Sequence, residues 1–255
     1  MTERDRLACV HSGSPVASAA HDELTGRYGF VPVEDADVIV ALGGDGFMLH
    51  TLHEHLGRDV AVFGMNRGTV GFLMNGYDPD GLVERVGAAR EERIAPLRAQ
   101  ATTVDGRREE LVAINEASLI RASVQAANLR ISINDVERLE RLICDGLLCS
   151  TPAGSTAYNL SARGPVLPLG AGLMTLTPVS PFRPRRWHGA LIPHDARISV
   201  EVLDAAKRPV AAGADSREVR DVARVDIAEA GDLAIRVLFD PGHSLEERIL
   251  AEQFA

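Results

Sequence analysis

The sequence contains almost no lysine, few cysteines and no long hydrophobic segment. Lys207 is the only lysine among 27 basic residues, a bias that we attribute to coding preference. The three cysteines are Cys9, Cys144 and Cys149. An odd number without a C-x-x-C pair excludes a dense disulfide framework and a cysteine-based zinc site. Because no run of eighteen apolar residues occurs, a membrane-spanning helix is excluded as well.

The remaining composition is typical of a soluble globular protein. Of 255 residues, 45% are hydrophobic and 25% are charged, enough chain for one large domain or two small ones. The net charge of −9 disfavours non-specific binding to nucleic acid or to anionic membranes. The first ten residues, MTERDRLACV, lack an apolar stretch of signal-peptide length. We therefore expect a soluble protein of the reducing cytoplasm that binds neither nucleic acid nor membrane.

The hydrophobic pattern changes near residue 98. Before it, short apolar runs alternate with helix-like stretches, with strands expected at 7–10, 37–42 and 60–63 and helices at 16–28, 47–56 and 80–92. After it, apolar residues alternate with period two between turn residues. The pattern predicts a Rossmann-like α/β domain with a parallel sheet over 1–98 and an all-β sandwich over 99–238. We expect a tail over 239–255, with a short helix at 245–254, to return to the first domain.

A glycine-rich turn, Gly43-Gly44-Asp45-Gly46, lies directly between a predicted strand and a predicted helix. Backbone amides at such a turn, with the helix dipole behind them, form an anion site suited to phosphate. An acid among phosphates would act indirectly on a metal-bound phosphate or take a proton from an attacking hydroxyl. The alternative is a tight turn in which Asp45 only caps the helix. The turn fits neither the Walker pattern nor G-x-G-x-x-G.

Two further polar segments follow. The glycine-rich segment 64–73 comes after the next strand, so that Asn66 or Phe72 could face a ligand in the same crevice. The pair Asn115-Glu116 falls inside an apolar strand over 111–120, and adjacent strand residues point to opposite faces. An inward amide or carboxylate needs partners, which a hydroxyl-rich ligand would supply. The alternative for segment 64–73 is an ordinary strand-to-loop connection. The alternative for Asn115-Glu116 is a solvated edge strand.

A third segment, 145–161, is rich in glycine and small hydroxyl residues and is expected to open a helix at 155–162. Tyr158 offers an aromatic face for stacking, and a serine nucleophile is not supported because no G-x-S-x-G elbow occurs. A capped helix packed on the sandwich is the alternative. His50, His53 and His55 cluster on one predicted helix without H-E-x-x-H spacing, so we expect exposed or packing side chains and no protein-bound metal.

Taken together, these segments resemble the NAD kinase family in its compact bacterial form. The resemblance rests on GGDG at 43–46, N-x-G-x-x-G-F-L at 66–73, the NE pair, D-G-x-x-x-S-T-P-x-G-S-T-A-Y-x-x-S at 145–161 and a proline-rich segment at 176–184. Two positions depart from the family pattern. Arg163 stands where a glycine is usual, and Asp215 is followed by Ser216 and not by glycine.

The resemblance implies transfer of the γ-phosphoryl group of ATP, or of polyphosphate, to the 2′-hydroxyl of the adenosine ribose of NAD. A divalent cation, Mg²⁺, would neutralise the donor phosphates. Asp45 would be the base, while Asn115, Glu116 and Asp145 would hold ribose hydroxyls and polar groups of the dinucleotide. The first domain would bind the phosphate donor, and the second would bind NAD and form a homodimer or homotetramer. The other implied site residues are Gly43, Gly44, Gly46, Phe72, Ala153, Thr156, Ala157, Tyr158, Asn159, Leu160, Ser161, Val179 and Asp215.

Two other functions use the same pattern. A diacylglycerol-type lipid kinase would need a basic or apolar membrane-facing surface, which this acidic chain lacks. An NAD(H)-binding regulator would keep the pocket without turnover, but it would gain nothing from an acid beside phosphates. The choice of ATP or polyphosphate, the preference for NAD or NADH, and feedback by NADPH stay open.

Overall fold

The computed structural model describes residues 6–68 and 71–242. Within them the chain forms two compact units, residues 6–94 with 233–242 and residues 95–232. The boundary expected at residue 238 therefore lies earlier, because the last of the described strands pairs within the first unit. The helix expected at 245–254, and nearly all of the expected tail, lie outside the described residues. In the described ranges no helix combines the length and hydropathy needed to cross a bilayer.

The elements of the first unit come from both ends of the chain. Its helices are α1 (Pro15–Arg27), α2 (Asp45–Glu54) and α3 (Leu82–Ala88), with a 3₁₀ turn at Val33–Asp35. Its strands are β1 (Leu7–His11), β2 (Val38–Gly43), β3 (Ala61–Asn66), β4 (Arg90–Ile94) and, near the end of the chain, β17 (Ile235–Phe239).

The second unit contains twelve of the described strands and two short helical segments. The strands are β5 (Leu97–Thr103), β6 (Arg108–Ala113), β7 (Glu116–Arg121), β8 (Ala127–Ile133), β9 (Val136–Cys144), β10 (Gly146–Ser150), β11 (Leu173–Val179), β12 (Ala190–Pro193), β13 (Ile198–Val202), β14 (Val210–Ala214), β15 (Arg217–Val219) and β16 (Val222–Glu229). The helical segments are a 3₁₀ turn at Ala153–Thr156 and α4 (Tyr158–Ser161).

The sheet of the first unit has the strand order β1-β2-β3-β17-β4. The first four strands in this order are parallel and β4 is antiparallel at the edge, so the predicted α/β architecture is confirmed with a mixed sheet. Every residue of β2 is buried, as expected for an inner strand covered on both faces. Leu24 of α1 packs with Val40 and Phe63 of the sheet in one apolar cluster.

The helix expected at 80–92 is shorter. It ends at Ala88, since the next residues form β4 and pair with β17 along the edge of the sheet. The ladder hydrogen bonds of β4 take the place of the helical ones, a case of tertiary pairing overriding local helix preference.

The second unit is an antiparallel β-sandwich, as the period-two pattern predicts. One six-stranded sheet has the order β12-β11-β10-β7-β14-β15, and the other has the order β6-β5-β16-β13-β8-β9. The apolar residues of alternate positions, such as Leu119, Cys149 and Val200, form a single buried cluster. The chain passes from one sheet to the other between β6 and β7, at Ile114-Asn115.

Asn75 joins the carboxyl ends of two neighbouring strands in the first unit. Its side chain is fully buried, and its Nδ2 donates to the Leu238 carbonyl at 2.9 Å. Its Oδ1 accepts the Asp240 N–H at 2.9 Å. Its own backbone bonds Gly64 and Asn66 of β3 at 2.7 and 2.8 Å. This one amide therefore fixes the segment after β3 to β17.

We expect Asn75→Ala to lower the free energy of unfolding by about 2–4 kcal/mol, because it leaves a buried N–H and a buried carbonyl without partners. Urea unfolding followed by circular dichroism measures the change. Val124→Ala is the control, since Val124 is 94% exposed. Equal midpoints for the two variants would contradict the role given to Asn75.

Candidate functional site

The predicted site residues fall in both units, and each group is described by itself. In the first unit, Gly43 ends β2 and Gly44 caps α2, which begins at Asp45. A Cβ on Gly43 would lie 2.8 Å from the Phe47 Cβ, so the first position of the turn requires glycine. The Gly44 carbonyl accepts the N–H groups of Phe47 and Met48 at 3.0 Å. The turn thus places backbone amides at the start of a ten-residue helix, the arrangement that binds anions.

Asp45 holds the second glycine-rich segment against this turn. Its Oδ2 accepts the Phe72 N–H at 2.7 Å, and its Oδ1 accepts the Leu73 N–H at 3.1 Å. A Cβ on Gly71 would lie 2.7 Å from the same Oδ1, so the close approach requires glycine there too. The structure thereby brings Asp45 and Phe72 together, at the carboxyl ends of the adjacent parallel strands β2 and β3.

A second set of contacts supports the turn from the segment after β3. The Arg67 N–H donates to the Gly43 carbonyl at 2.7 Å. The Gly68 N–H donates to the Asn66 Oδ1 at 2.9 Å, and Gly68 lies beside Gly44, where an added Cβ would be in ordinary van der Waals contact with the Gly44 Cα at 3.6 Å. The two glycine-rich segments form one packed structure.

In the second unit, Asn115 and Glu116 do not lie inside one strand as expected. Asn115 lies at the crossover between the two sheets, and Glu116 is the first residue of β7. The physical reason is the Asp215 carboxylate, which accepts three backbone N–H groups there, from Ile114 at 2.6 Å, Asn115 at 3.0 Å and Glu116 at 3.3 Å. These bonds replace ladder bonds, so the chain can change sheets without unpaired amides.

Asp215 itself occupies the turn between β14 and β15 with φ of +48°. An aspartate adopts this left-handed conformation more often than most residues with a side chain do, and here its carboxylate bonds the backbone of Ile114, Asn115 and Glu116. The serine that follows it therefore does not prevent Asp215 from holding the crossover.

The crossover also carries the start of the third segment. The Thr151 N–H donates to the Asn115 carbonyl at 2.9 Å, and the Thr151 Oγ1 donates to the Ile114 carbonyl at 2.7 Å. Gly154 packs directly on this backbone, so that a Cβ there would lie 2.1 Å from the Asn115 carbonyl oxygen. Asn115 is thus enclosed by Asp215 on one side and by the third segment on the other.

The helix expected at 155–162 is instead the 3₁₀ turn and α4, separated at Ala157, whose φ of −94° and ψ of −128° are not helical. The Asn159 side chain accounts for the break. It is fully buried, its Nδ2 donates to the carbonyls of Ser155 and Pro165, and its Oδ1 accepts the hydroxyls of Thr175 and Thr177. All its hydrogen-bonding positions are used within the protein, so this amide holds the segment on the sheet and is not available to a ligand.

Tyr158 is exposed beside an open pocket of about 310 Å³. Ser161, Val179 and His188 also line it, together with Arg163. Arg163 has a φ of +64°, a left-handed conformation that glycine adopts without strain. A glycine is usual at this position in the family pattern. Of the other residues in this segment, Ala153 is buried, and Thr156, Ala157 and Leu160 are half-buried.

Asp145 lies between β9 and β10, where Arg121 holds its side chain. The Arg121 Nε donates to the Asp145 Oδ1 at 2.6 Å, and the Asp145 N–H donates to the Val179 carbonyl at 2.9 Å. Arg121 was not singled out from the sequence, because a basic residue at the end of a strand carries no pattern of its own. Thr175 and Thr177 could have been found, since they alternate with apolar residues along β11.

Glu116 is the carboxyl group whose titration the fold changes most among these site residues. Burial, and to a lesser extent the neighbouring Asp215 charge, raise the pKa of Glu116 to about 7. Among the histidines, burial and then Arg58 lower the pKa of His55, whose Nδ1 lies 3.1 Å from the Arg58 Nη1. In the ranges described, no group of three or more His, Cys, Asp or Glu side chains could hold a metal ion.

Comparison with known proteins gives a consistent result over both units. The ATP-NAD kinase N-terminal domain model matches residues 16–84, and the ATP-NAD kinase C-terminal domain model matches residues 114–229. The chain is 56% identical over 249 residues to the NAD kinase of Cereibacter sphaeroides, with 98% of each chain covered. It is 54% identical over 252 residues to the NAD kinase of Caulobacter vibrioides, with 98% of this chain and 96% of the other covered.

Two solved structures share the fold. Yeast NADH kinase complexed with NADH aligns with a TM-score of 0.83 at 20% identity, covering 98% of this chain and 87% of the other. The NAD kinase of Archaeoglobus fulgidus in complex with ATP aligns with a TM-score of 0.76 at 24% identity, covering 96% and 97%.

We expect Gly154→Ala to destabilise the second unit by about 1–3 kcal/mol or more, because the added methyl group would overlap the Asn115 carbonyl and neither backbone can yield easily. Thermal unfolding followed by circular dichroism measures the loss. Gly170→Ala is the matched control, since a Cβ at Gly170 meets nothing within 4 Å. If both variants melt at the wild-type temperature, the close packing of Gly154 against the Asn115 carbonyl is contradicted.

Proposed function

Since the chain belongs to the ATP-NAD kinase family, we infer that it transfers the γ-phosphoryl group of ATP to the 2′-hydroxyl of the adenosine ribose of NAD, giving NADP. The observation that carries this conclusion is the Gly43–Gly46 turn at the end of a parallel strand, within a family match that extends over both units. In the transfer, the ribose oxygen bonds to the γ-phosphorus, the bond to the β,γ-bridging oxygen breaks, and ADP leaves.

The donor phosphates would lie at the turn of the first unit. Backbone amides of Gly44, Asp45 and Gly46 at the start of α2 supply partial positive charge, and the absence of Cβ atoms on the glycines lets the phosphates approach closely. Mg²⁺ would enter with ATP as part of the substrate and neutralise its charge. Phosphoryl transfer has a loose transition state, so that positioning and charge neutralisation supply most of the catalysis.

Asp45 would accept the proton of the 2′-hydroxyl. Each of its carboxylate oxygens already accepts one backbone N–H, and a carboxylate oxygen offers a second lone pair. The bonds to Phe72 and Leu73 therefore orient the carboxylate and leave it able to accept one more hydrogen. Orientation of the base by backbone donors would restrict its rotation before the substrate binds.

The dinucleotide would bind in the second unit. Asn115 and Glu116 would contact ribose hydroxyls, and Asp145, held by Arg121, would contact a polar group of the dinucleotide. The pocket beside Tyr158 would receive a base or the nicotinamide, with Ser161 and Val179 in its wall. Asp215 would act through the crossover by fixing the backbone of Asn115 and Glu116.

Family membership supports two further proposals. We propose that the enzyme works in the cytoplasm and that it forms a homodimer or homotetramer. Polyphosphate should be tested beside ATP as the phosphate donor. Sedimentation equilibrium determines the subunit number.

The decisive experiment incubates purified protein with ATP, Mg²⁺ and NAD, and measures NADP with a strictly NADP-dependent dehydrogenase. NADP formation supports the proposal. NAD binding without turnover, with ATP and with polyphosphate, would instead indicate an NAD(H)-binding regulator. Failure of both binding and turnover would direct attention to lipid acceptors.

We expect Asp45→Asn to lower kcat by roughly 10²–10⁴-fold, the contribution of a positioned base, with little change in the KM for NAD. Asparagine keeps one acceptor for the backbone of Phe72 or Leu73, so the thermal midpoint shows whether the turn has also been disturbed. Asp22→Asn is the control, because the Asp22 side chain is 82% exposed on α1. An unchanged kcat would remove Asp45 from the role of base.

We expect Asp145→Ala to raise the KM for NAD by roughly tenfold with a smaller effect on kcat, because a charged hydrogen-bonding group is lost from the binding site. Arg121→Ala should act in the same direction, since Arg121 holds the carboxylate. Glu218→Ala removes a carboxylate from an exposed ion pair with Arg220 and serves as control. A KM at the wild-type value for Asp145→Ala would exclude this carboxylate from substrate binding.

A further inference from the structure

Ser150 has a buried hydroxyl with no hydrogen-bond partner among the described residues. It is the last residue of β10 and has no exposed surface. Its neighbours Thr151 and Thr175 donate their hydroxyl hydrogens elsewhere, to the Ile114 carbonyl and to the Asn159 Oδ1. A buried hydroxyl without a partner is unfavourable, so its presence at this position needs a reason.

The register of the sheet places Ser150 directly opposite Glu116. The two residues are paired across β10 and β7, and directly opposed residues of antiparallel strands project from the same face with Cβ atoms about 4.5–5.5 Å apart. A seryl hydroxyl and a flexible glutamate side chain can meet over this separation by rotation of side-chain torsions alone.

Glu116 has a buried acceptor that lacks a donor. Its Oε2 is inaccessible to solvent and has no hydrogen-bond partner within the described part of the chain. The unpaired donor, Ser150 Oγ, and the unpaired acceptor, Glu116 Oε2, therefore lie on the same face of adjacent strands. Glu116 is the residue of this pair that is assigned to the nucleotide site. Two such groups are more costly apart than joined.

We propose that Ser150 is a positioning residue for the reaction, whose hydroxyl donates to the Glu116 carboxylate when the ribose of NAD is bound. The bond directs the remaining carboxylate lone pairs toward the ribose hydroxyls. This inference rests on the proposed function, in which Glu116 contacts the ribose. Ser150 acts through Glu116 and does not touch the substrate.

The charges around Glu116 give the bond a second effect. Burial of Glu116, and to a lesser extent the charge of Asp215 in the turn between β14 and β15, raise the pKa of Glu116 to about 7. On the β10 side the facing residue is the neutral Ser150. A hydroxyl that donates to the ionised form favours that form. In the NAD complex, where the bond forms, loss of the hydroxyl should therefore raise the pKa of Glu116 and move the acid limb of kcat to higher pH.

The test measures kcat and KM for NAD between about pH 5.5 and 8.5, the range in which such a carboxyl would titrate. Four variants are compared with wild type, namely Ser150→Ala, Ser118→Ala, Glu116→Gln and the double variant of Ser150 and Glu116. Ser118 is the matched control, a serine on the same face of β7 that pairs with Leu148 and not with Ser150.

For Ser150→Ala we expect the KM for NAD at pH 7 to rise roughly 3–10-fold, as for a lost hydrogen bond to a charged group, with kcat within about twofold. The acid limb of kcat should move to higher pH, and the thermal midpoint should stay or rise, since an unpaired buried group is removed. Ser118→Ala should keep the wild-type profile. The double variant should resemble Glu116→Gln alone, because Ser150 acts through that carboxylate.

An unchanged KM and an unchanged acid limb in Ser150→Ala, beside a defective Glu116→Gln, would overturn the role of Ser150 and leave the proposed function intact. A Glu116→Gln variant with wild-type KM for NAD would instead contradict the assignment of Glu116. A merely structural role for Ser150 would lower the thermal midpoint without moving the pH profile.

Discussion

The Asp215 carboxylate is the interaction on which the second unit depends. By accepting three successive backbone N–H groups, it lets the chain leave one sheet and enter the other within two residues. That geometry turns the Asn115 carbonyl toward Thr151 and Gly154 and sets Glu116 at the first position of β7. The residues proposed to contact the substrate, the third segment and the sandwich connection therefore share one electrostatic anchor, formed by a side chain one hundred residues away.

The first unit uses the same device for a different purpose. Asp45 also binds two backbone N–H groups, but its partners belong to a glycine-rich segment, and the result is a turn with dense amides at a helix start. In both units a carboxylate fixes the irregular backbone that carries the proposed site residues. Carboxylates suit this task because charge-assisted bonds to N–H groups are roughly twice as strong as neutral ones. Phosphoryl transfer from ATP to NAD demands such pre-organised surroundings more than it demands covalent participation.

The sequence predicts the two-domain α/β and β-sandwich architecture well, because hydrophobic periodicity changes from helical alternation to period two near residue 98. It also identifies the GGDG turn, since glycine spacing between a strand and a helix is a local feature. The errors have a common physical origin. The break at Ala157 and the crossover at Asn115 depend on Asn159 and Asp215, whose partners are distant in sequence or are backbone groups. Arg121 and Ser150 act through register between strands, which no local pattern encodes.

The position of β17 has a consequence for biosynthesis. This strand comes from the end of the chain, yet it lies inside the first sheet, between β3 and β4. A chain emerging from the ribosome therefore releases the whole sandwich, residues 95–232, before the first sheet can be completed. Until then β3 and β4 present open edges, the kind of surface that invites pairing with other chains. The first unit is thus begun first and finished last, and a translation product stopped shortly after residue 232 would contain a complete sandwich and a first sheet without β17.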